Sequence, residues 1–165
     1  RNTGRRSRVH GVGSDSQLKS HILLIGGVGA GKTTLKQYLM NEAQAYRKTQ
    51  MLEFKGFFID CPGEYLQMPT YYRVLIDASH RVDEVWALQD ASNRRTIFPP
   101  NFAKVFKKTV VGIITKIDRE DAAPELAEKF LRQAGVVAPI LPISAREGLG
   151  MDPLVKRLEA FASNA

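Results

Sequence analysis

The sequence predicts an α/β fold, because short apolar strands alternate with segments of helical periodicity. Residues 21–25 (HILLI) form an apolar run suited to a buried strand, and a glycine-rich loop follows at once. Beyond the loop, Leu35, Tyr38 and Leu39 recur at helical spacing. Further apolar runs end in polar residues or turn signals at three places: 85–88, 109–115 and 139–143. Strand, loop and helix thus follow one another along most of the chain.

The loop at 26–33 (GGVGAGKT) matches G-x-x-x-x-G-K-[ST], the sequence of a phosphate-binding loop. Glycines let the backbone N–H groups curve around a phosphate chain, and the following helix adds free N–H groups at its N-terminus. Lys32 can reach the outer phosphates, where it would act in catalysis, and the Thr33 hydroxyl can bind Mg²⁺. The alternative is a plain glycine-rich turn. The nucleotide-binding residues predicted here are Gly27, Val28, Gly29, Ala30, Gly31, Lys32, Thr33 and Thr34.

The composition is that of a globular chain, with 165 residues and 44% hydrophobic residues. We divide it into a disordered basic extension at 1–20 and a folded domain at 21–163. Residues 1–20 hold five basic residues and one aspartate, a net charge of +4 out of +7 for the chain. Such an arm either binds nucleic acid or an acidic surface, or is simply solvated. No apolar run is long enough to span a membrane, and the single cysteine fits a cytoplasmic setting.

The polar stretch 41–50 is predicted to be a loop after the first helix, and it contains Thr49. A phosphate-binding loop of this kind needs a second hydroxyl that reaches Mg²⁺ and the last phosphate from a mobile segment. Thr49 is the candidate for this metal-binding and catalytic role. The alternative is an ordinary threonine at the entrance to a strand.

Two short strands, 51–54 and 57–60, are predicted on either side of Lys55 and Gly56 as a hairpin. The second strand ends in Asp60, Cys61, Pro62 and Gly63. A carboxylate at that strand end can hold Mg²⁺ through water, and Gly63 can turn its N–H toward the last phosphate. The same residues also favour an ordinary turn that ends a strand, which is the alternative interpretation.

The strand at 109–115 delivers Thr115, Lys116 and Asp118 to its C-terminal end, where open α/β sheets bind ligands. A carboxylate can accept hydrogen bonds from the ring N–H and the exocyclic amine of guanine, a pattern that adenine lacks. Asp118 would therefore select guanine, while the Lys116 stem lies over the purine. A lysine-rich loop is the alternative.

The remaining segments predict three helices and further ligand contacts. Helices are expected at 69–80, at 124–134 between Pro124 and Gly135, and at 152–161. A loop at 90–101 precedes a short helix at 102–106. Backbone N–H groups of Ser144, Ala145 and Arg146, directly after the last strand, are expected to contact the guanine carbonyl.

The five segments GGVGAGKT, Thr49, DCPG, TKID and SAR stand in one order, and together they resemble the Ras-like P-loop GTPases. This resemblance covers about residues 20–163. It implies the three-layer fold of the small GTPases, with a six-stranded, mostly parallel sheet, one antiparallel strand and helices on both faces. It also implies GTP or GDP as the ligand, together with Mg²⁺ held by Thr33, Thr49 and, through water, Asp60.

The sequence around those motifs is similar to a narrower family, the ethanolamine- and propanediol-utilisation GTPases of the EutP/PduV type. RKTQ at 47–50 and FIDCPGEY at 58–65 carry this likeness. The resemblance implies a cytoplasmic, microcompartment-associated protein with a shell component or a regulator as partner.

Several residues depart from the pattern. Cys61 replaces a common threonine, and Thr115 stands where asparagine is commonest. Glu64 and Val28 stand where Ras has glutamine and glycine, which points to slow hydrolysis.

Three functions therefore stay open. The first is a slowly hydrolysing GTPase switch, and the second is a nucleotide-bound adaptor with negligible turnover. The third is a P-loop phosphotransferase that acts on a small substrate. They differ in whether single-turnover hydrolysis or a phosphorylated small product is observed.

Overall fold

The computed structural model describes residues 19–47, 56–137 and 139–163. Nine helices and strands in this part of the chain alternate in the order that an α/β fold requires. They are β1 (Ile22–Gly26), α1 (Lys32–Arg47), β2 (Phe58–Pro62), α2 (Tyr72–Ser79), β3 (Glu84–Asp90), β4 (Thr109–Thr115), α3 (Pro124–Gln133), β5 (Ile140–Pro142) and α4 (Asp152–Ser163). Short 3₁₀ turns lie at Gly63–Gln67, Pro69–Tyr71 and Phe102–Val105.

The strands of the described chain form one five-stranded sheet in the order β2-β1-β3-β4-β5, and every neighbouring pair is parallel. Gly26 at the end of β1 lies opposite Pro62 of β2 and Leu88 of β3. Asp90 lies opposite Thr115 in the next pair. Because the carboxyl ends of all five strands meet at one edge of the sheet, the loops that follow them come together there.

Both faces of the sheet are covered by helices, as the fold class predicts. Leu23 and Ile25 of β1 belong to the core under α2 and α3, where Leu75 and Leu131 are fully buried. The alternate residues of β1 belong to the opposite core, under α1 and α4. Strands buried on both faces read as continuous apolar runs, which explains the pattern at 21–25.

The prediction of an α/β fold is confirmed, with five strands in the described part rather than six. The predicted antiparallel strand at 51–54 lies outside the described residues, as does Thr49. The predicted loop at 41–50 is wrong in its first part, because α1 continues to Arg47. Residues 41–47 contain neither glycine nor proline and include alanine, glutamate and glutamine, which are good helix formers.

A second difference from the sequence-based prediction lies at β2. This strand continues through Pro62 instead of ending at Asp60. Proline is tolerated there because β2 lies at one end of the described sheet, where its missing N–H interrupts no inner ladder. None of the helices in the described ranges is long and apolar enough to cross a membrane.

Candidate nucleotide-binding site

The loop between β1 and α1 surrounds a cavity of about 320 Å³, lined by residues 27–34 and by Lys116. Gly29 and Gly31 have φ angles of 77° and 99°, so glycine is required at both positions for the loop to take this shape. α1 begins at Lys32, which places the free N–H groups of its first turn at the same cavity. Val28 at the tip of the loop is 91% exposed. The arrangement is a ready anion site.

Lys32 ties the loop to β2. Its Nζ donates to the carbonyl oxygen of Gly26 at 3.1 Å and to that of Cys61 at 3.0 Å. The ammonium therefore lies between the start of the glycine loop and the end of β2. Both acceptors are neutral carbonyls, so a phosphate oxygen would be a stronger partner for this charge.

Gly63, at the start of the turn after β2, packs directly on the glycine loop. A Cβ at this position would lie 2.8 Å from the Cα of Gly27, 2.9 Å from the carbonyl oxygen of Gly26 and 2.6 Å from Cδ1 of Ile97. Two of these neighbours are backbone atoms, which cannot move without displacing the loop. Glycine is needed here for close approach of two backbones.

We expect Gly63→Ala to lower the free energy of unfolding by about 1–3 kcal/mol, the usual cost of forcing an extra carbon into a packed site. Urea unfolding of the nucleotide-free protein measures it. Gly27→Ala is the matched control, because its Cβ would meet only Ile97, at 3.5 Å or more. Equal stability of the two variants would contradict this account of the packing.

Thr33 and Asp60 are the described residues predicted to serve Mg²⁺. Thr33 is exposed in the first turn of α1 and lines the loop cavity. Asp60 lies within β2, opposite Leu24, and forms an ion pair with Lys36 of α1. In the described ranges no three His, Cys, Asp or Glu side chains cluster as a metal site. A hydroxyl and one carboxylate fit Mg²⁺, which keeps several waters and takes phosphate oxygens.

A second cavity, of about 280 Å³, lies beside the loop between the ends of β4 and β5. It brings together two segments that are far apart in sequence. Its walls include Gly31 and Thr34 from the loop region. The other residues predicted to contact the base line the same cavity: Thr115, Lys116, Asp118, Ser144, Ala145 and Arg146. Arg119 also lines it.

Lys116 is held in place by contacts that the motif alone does not reveal. Its backbone is left-handed, with a φ angle of 62°. Its Nζ donates to the carbonyl oxygen of Gly29 and lies 3.0 Å from Oδ2 of Asp90. The side chain thus joins the ends of β3 and β4 to the glycine loop, and its stem runs along the second cavity.

Asp90 is itself anchored at the end of β3. Its Oδ1 accepts hydrogen bonds from the backbone N–H and the hydroxyl of Ser92, at 2.8 and 2.7 Å. Burial alone would raise the pKa of Asp90, but the bonds from Ser92 and the Lys116 ammonium outweigh it and hold the pKa below its usual value. Asp90 therefore stays ionised at neutral pH and fixes Lys116.

The hydroxyl of Thr115 forms a hydrogen bond within the protein and does not point to a ligand as a free donor. Its Oγ1 donates to the carbonyl oxygen of Ala30 at 2.7 Å, and the residue is buried. The N–H of Ser144 likewise donates to Leu149, at 3.0 Å. We therefore expect Ala145 and Arg146 to supply the backbone N–H groups at the mouth of the cavity.

The Cys61 thiol is buried beside the site, while its carbonyl oxygen accepts the hydrogen bond from Lys32. Burial, assisted by the charges of Asp60 and Glu64, outweighs Lys32 and raises the pKa of the Cys61 thiol to about 11. The thiol stays protonated at neutral pH and is a poor nucleophile. Cys61 instead packs in the hydrophobic core on one face of the sheet.

The structure gathers the predicted residues of the glycine loop and those at the ends of β4 and β5 into two adjoining cavities. Asp60 and Gly63 line neither cavity and lie beside the loop, on β2 and in the turn after it. Thr49 lies outside the described residues. Two contributors were missed. Asp90 could have been found as a carboxylate at the end of a buried strand. Lys36 could have been found because it follows Lys32 by four residues and shares its face of α1.

A parallel α/β sheet whose first strand leads through GGVGAGKT into a helix defines this protein as a P-loop NTPase. The family model for ethanolamine and propanediol utilisation, PduV-EutP, matches residues 19–160. The chain belongs to the PduV-EutP family, which confirms the resemblance stated above.

Curated relatives agree with the family match. The chain is 34% identical to propanediol utilization protein PduV of Citrobacter freundii over 146 residues, 87% of this chain and 95% of that protein. It is 32% identical to the probable acetate kinase EutP of Salmonella typhimurium, over 86% of this chain and 90% of that protein. Translation initiation factor IF-2 of Chlorobium limicola is 29% identical over 90% of this chain but only 18% of its own length.

Proposed function

We propose that this protein binds guanine nucleotides with Mg²⁺ and slowly hydrolyses GTP, acting as a nucleotide switch in the utilisation of ethanolamine or propanediol. Its place of action would be the cytoplasm, in association with a microcompartment and through a shell component or a regulator as partner. The family membership and the relatives named for propanediol utilisation support the pathway.

The observation that carries the proposal is the pair of adjoining cavities. Residues 27–34 line one, and Gly31 and Thr34 line the other together with Asp118. A nucleotide whose phosphate chain lies in the first cavity would place its base in the second cavity. The carboxylate of Asp118 is exposed there and can accept the two guanine hydrogen bonds.

In this proposal different residues of the chain bind the phosphates and the metal ion during phosphoryl transfer. Lys32 would leave its two carbonyl acceptors for oxygens of the outer phosphates and offset the charge that develops in phosphoryl transfer. Gly63 would offer its N–H to the γ-phosphate. Mg²⁺, held by the Thr33 hydroxyl and by Asp60 through water, with Thr49 as a further ligand, would polarise the phosphate oxygens.

Calorimetry with GDP, GTP and ADP, followed by single-turnover hydrolysis of GTP with and without Mg²⁺, tests the proposal. We expect GDP to bind more tightly than ADP and GTP to be cleaved only with Mg²⁺. Tight GTP binding without cleavage would favour the adaptor function. Equal affinity for ADP and GDP would contradict the assignment of guanine.

Glu64 is expected to contribute little to the chemical step. It is exposed at the start of the turn Gly63–Gln67, and as a carboxylate it is repelled by a γ-phosphate. It can accept a proton from water but, while ionised, cannot donate a hydrogen bond as an amide does. We expect Glu64→Ala to change the single-turnover GTP rate less than about tenfold, roughly 1.4 kcal/mol of barrier.

The same assay with Gln67→Ala, another exposed residue of this turn, provides the control. A hundredfold loss for Glu64→Ala, with unchanged GTP affinity, would place Glu64 in the chemical step and contradict the prediction.

Phosphoryl transfer to a small carboxylate is the second candidate function. The relatives named as probable acetate kinases favour it. A further small cavity, of about 30 Å³, lies beside the loop at Gly27 and Val28 and is also lined by Arg95 and Ile97. Gln89 supports it, because its Nε2 donates to the carbonyl oxygen of Arg95 at 3.1 Å. Asp90 lines this cavity as well, so a short carboxylate would have to bind on the side of Arg95 and Ile97, away from that negative charge.

Incubation with acetate, Mg²⁺ and γ-labelled ATP or GTP tests this second function. Labelled acetyl phosphate would establish it, since an acetate oxygen would then have formed a bond to the γ-phosphorus while the bond to the β–γ bridging oxygen broke, releasing ADP or GDP. Release of labelled inorganic phosphate alone, at the same rate with and without acetate, would contradict it.

A further inference from the structure

The carboxylate expected to serve Mg²⁺ is already paired with a cation of the chain. Lys36 Nζ contacts Oδ2 of Asp60, and 26% and 42% of the respective side-chain surfaces remain exposed. Asp60 lies in the middle of β2, and Lys36 lies one helical turn beyond Lys32 on the same face of α1. The pair therefore links the helix that follows the glycine loop to the neighbouring strand.

Lys36 does not replace Lys32 in the phosphate cavity. Lys32 lines that cavity and donates to the carbonyl oxygens at the loop and at the end of β2. Lys36 is not among the residues lining it, and its contact in the described chain is the Asp60 carboxylate. The two lysines of α1 thus have separate positions, one beside the phosphates and one beside the metal-serving carboxylate.

A carboxylate engaged by an ammonium is less able to hold the hydration shell of a divalent ion. The ammonium occupies one of its oxygens, and its positive charge makes the local electrostatic potential less negative, so Mg²⁺ is attracted less strongly. Both charges lie at the surface, where an ion pair is worth only a modest free energy. Mg²⁺ can therefore displace Lys36, but only at a higher concentration than an unpaired carboxylate would need.

We propose that Lys36 is an internal competitor of Mg²⁺ for Asp60, and that it sets the Mg²⁺ concentration at which this protein holds nucleotide. This inference rests on the proposed function, in which Asp60 serves Mg²⁺. Lys36 is a positioning residue that acts through Asp60. Exchange between the two cations couples the position of α1 against β2 to occupation of the metal site.

The test is a titration of the full chain with Mg²⁺, following the binding of a fluorescent GDP rather than hydrolysis. We expect Lys36→Met to lower the Mg²⁺ concentration for half-maximal GDP binding by roughly two- to fivefold, in keeping with the loss of one exposed ion pair. Lys36→Arg keeps the cation, so its midpoint should stay near the wild-type value. Lys156→Met, an exposed lysine of α4, is the matched control and should also behave as wild type.

Affinity for GDP in EDTA separates competition from direct phosphate binding. We expect Lys36→Met to leave it unchanged, whereas weaker binding in EDTA would make Lys36 a phosphate ligand and overturn the proposal. A midpoint equal to that of Lys156→Met, or one shifted upward, would also overturn it. In the Asp60→Asn background, we expect the Lys36→Met effect to disappear.

Failure of the inference and failure of the proposed function give different results. Wild-type protein whose GDP binding is indifferent to Mg²⁺ would contradict the proposed function and the inference together. Wild-type binding that requires Mg²⁺, with an unshifted Lys36→Met midpoint, would overturn the inference alone.

Discussion

Lys32→Ala is expected to weaken GTP binding by about 2–5 kcal/mol, roughly 30-fold to several-thousand-fold, the cost of removing one partner of a close charge pair. In the structure the ammonium lies between the carbonyl oxygens of Gly26 and Cys61, 3.1 and 3.0 Å away. The loop around it otherwise offers a phosphate only neutral N–H donors. Calorimetric titration with a non-hydrolysable GTP analogue measures the loss.

The fold should survive this change. Removal of Lys32 costs two hydrogen bonds to carbonyl groups, but Lys32 lines the open loop cavity, where water can take over both acceptors. Circular dichroism and thermal unfolding check that the variant is folded, and Lys156→Ala on α4 shows the effect of losing an exposed lysine elsewhere. Unchanged GTP affinity in a folded Lys32→Ala variant would contradict the assignment of the phosphate-binding loop.

Asp118→Asn is expected to weaken the binding of guanine nucleotides by about 2–3 kcal/mol. This is the range for a polar group that is buried by its ligand and loses its matching partner. In the proposed site the carboxylate would accept two hydrogen bonds from guanine, whereas an asparagine side chain presents one donor and one acceptor group. Xanthine carries an oxygen in place of the guanine amine, so the same variant should bind XDP more tightly than the wild type does. Calorimetry with GDP, XDP and ADP measures all three affinities.

Glu120→Gln provides a matched control, because this exposed carboxylate lies two residues away and does not line the cavity. It should leave the order of GDP and ADP unchanged. An Asp118→Asn variant that loses GDP affinity without gaining XDP affinity would point to damage of the pocket rather than to a changed hydrogen-bond pattern.

The local signals of the sequence were sufficient for most of the fold. The β1 run, the loop glycines and the strand at Thr109–Thr115 lie where their patterns predict, since a strand buried on both faces and a loop with positive φ angles restrict residue choice severely. The predicted helices at 124–134 and 152–161 begin at the residues where α3 and α4 begin, whereas the end of α1 was predicted wrongly. α1 continues to Arg47 because residues 41–47 lack a breaker, and a polar composition was mistaken for a loop.

By itself, the sequence determined the class of fold, the phosphate-binding loop and the residues proposed to select guanine, because each depends on neighbours within a few positions. Only the tertiary structure decided the pairings between distant segments. Asp90 forms an ion pair with Lys116, Asp60 forms an ion pair with Lys36, and Gly63 packs against Gly27. These contacts depend on which strands become neighbours in the sheet and on how closely their loops approach, and no local pattern encodes the distance between two parts of a chain.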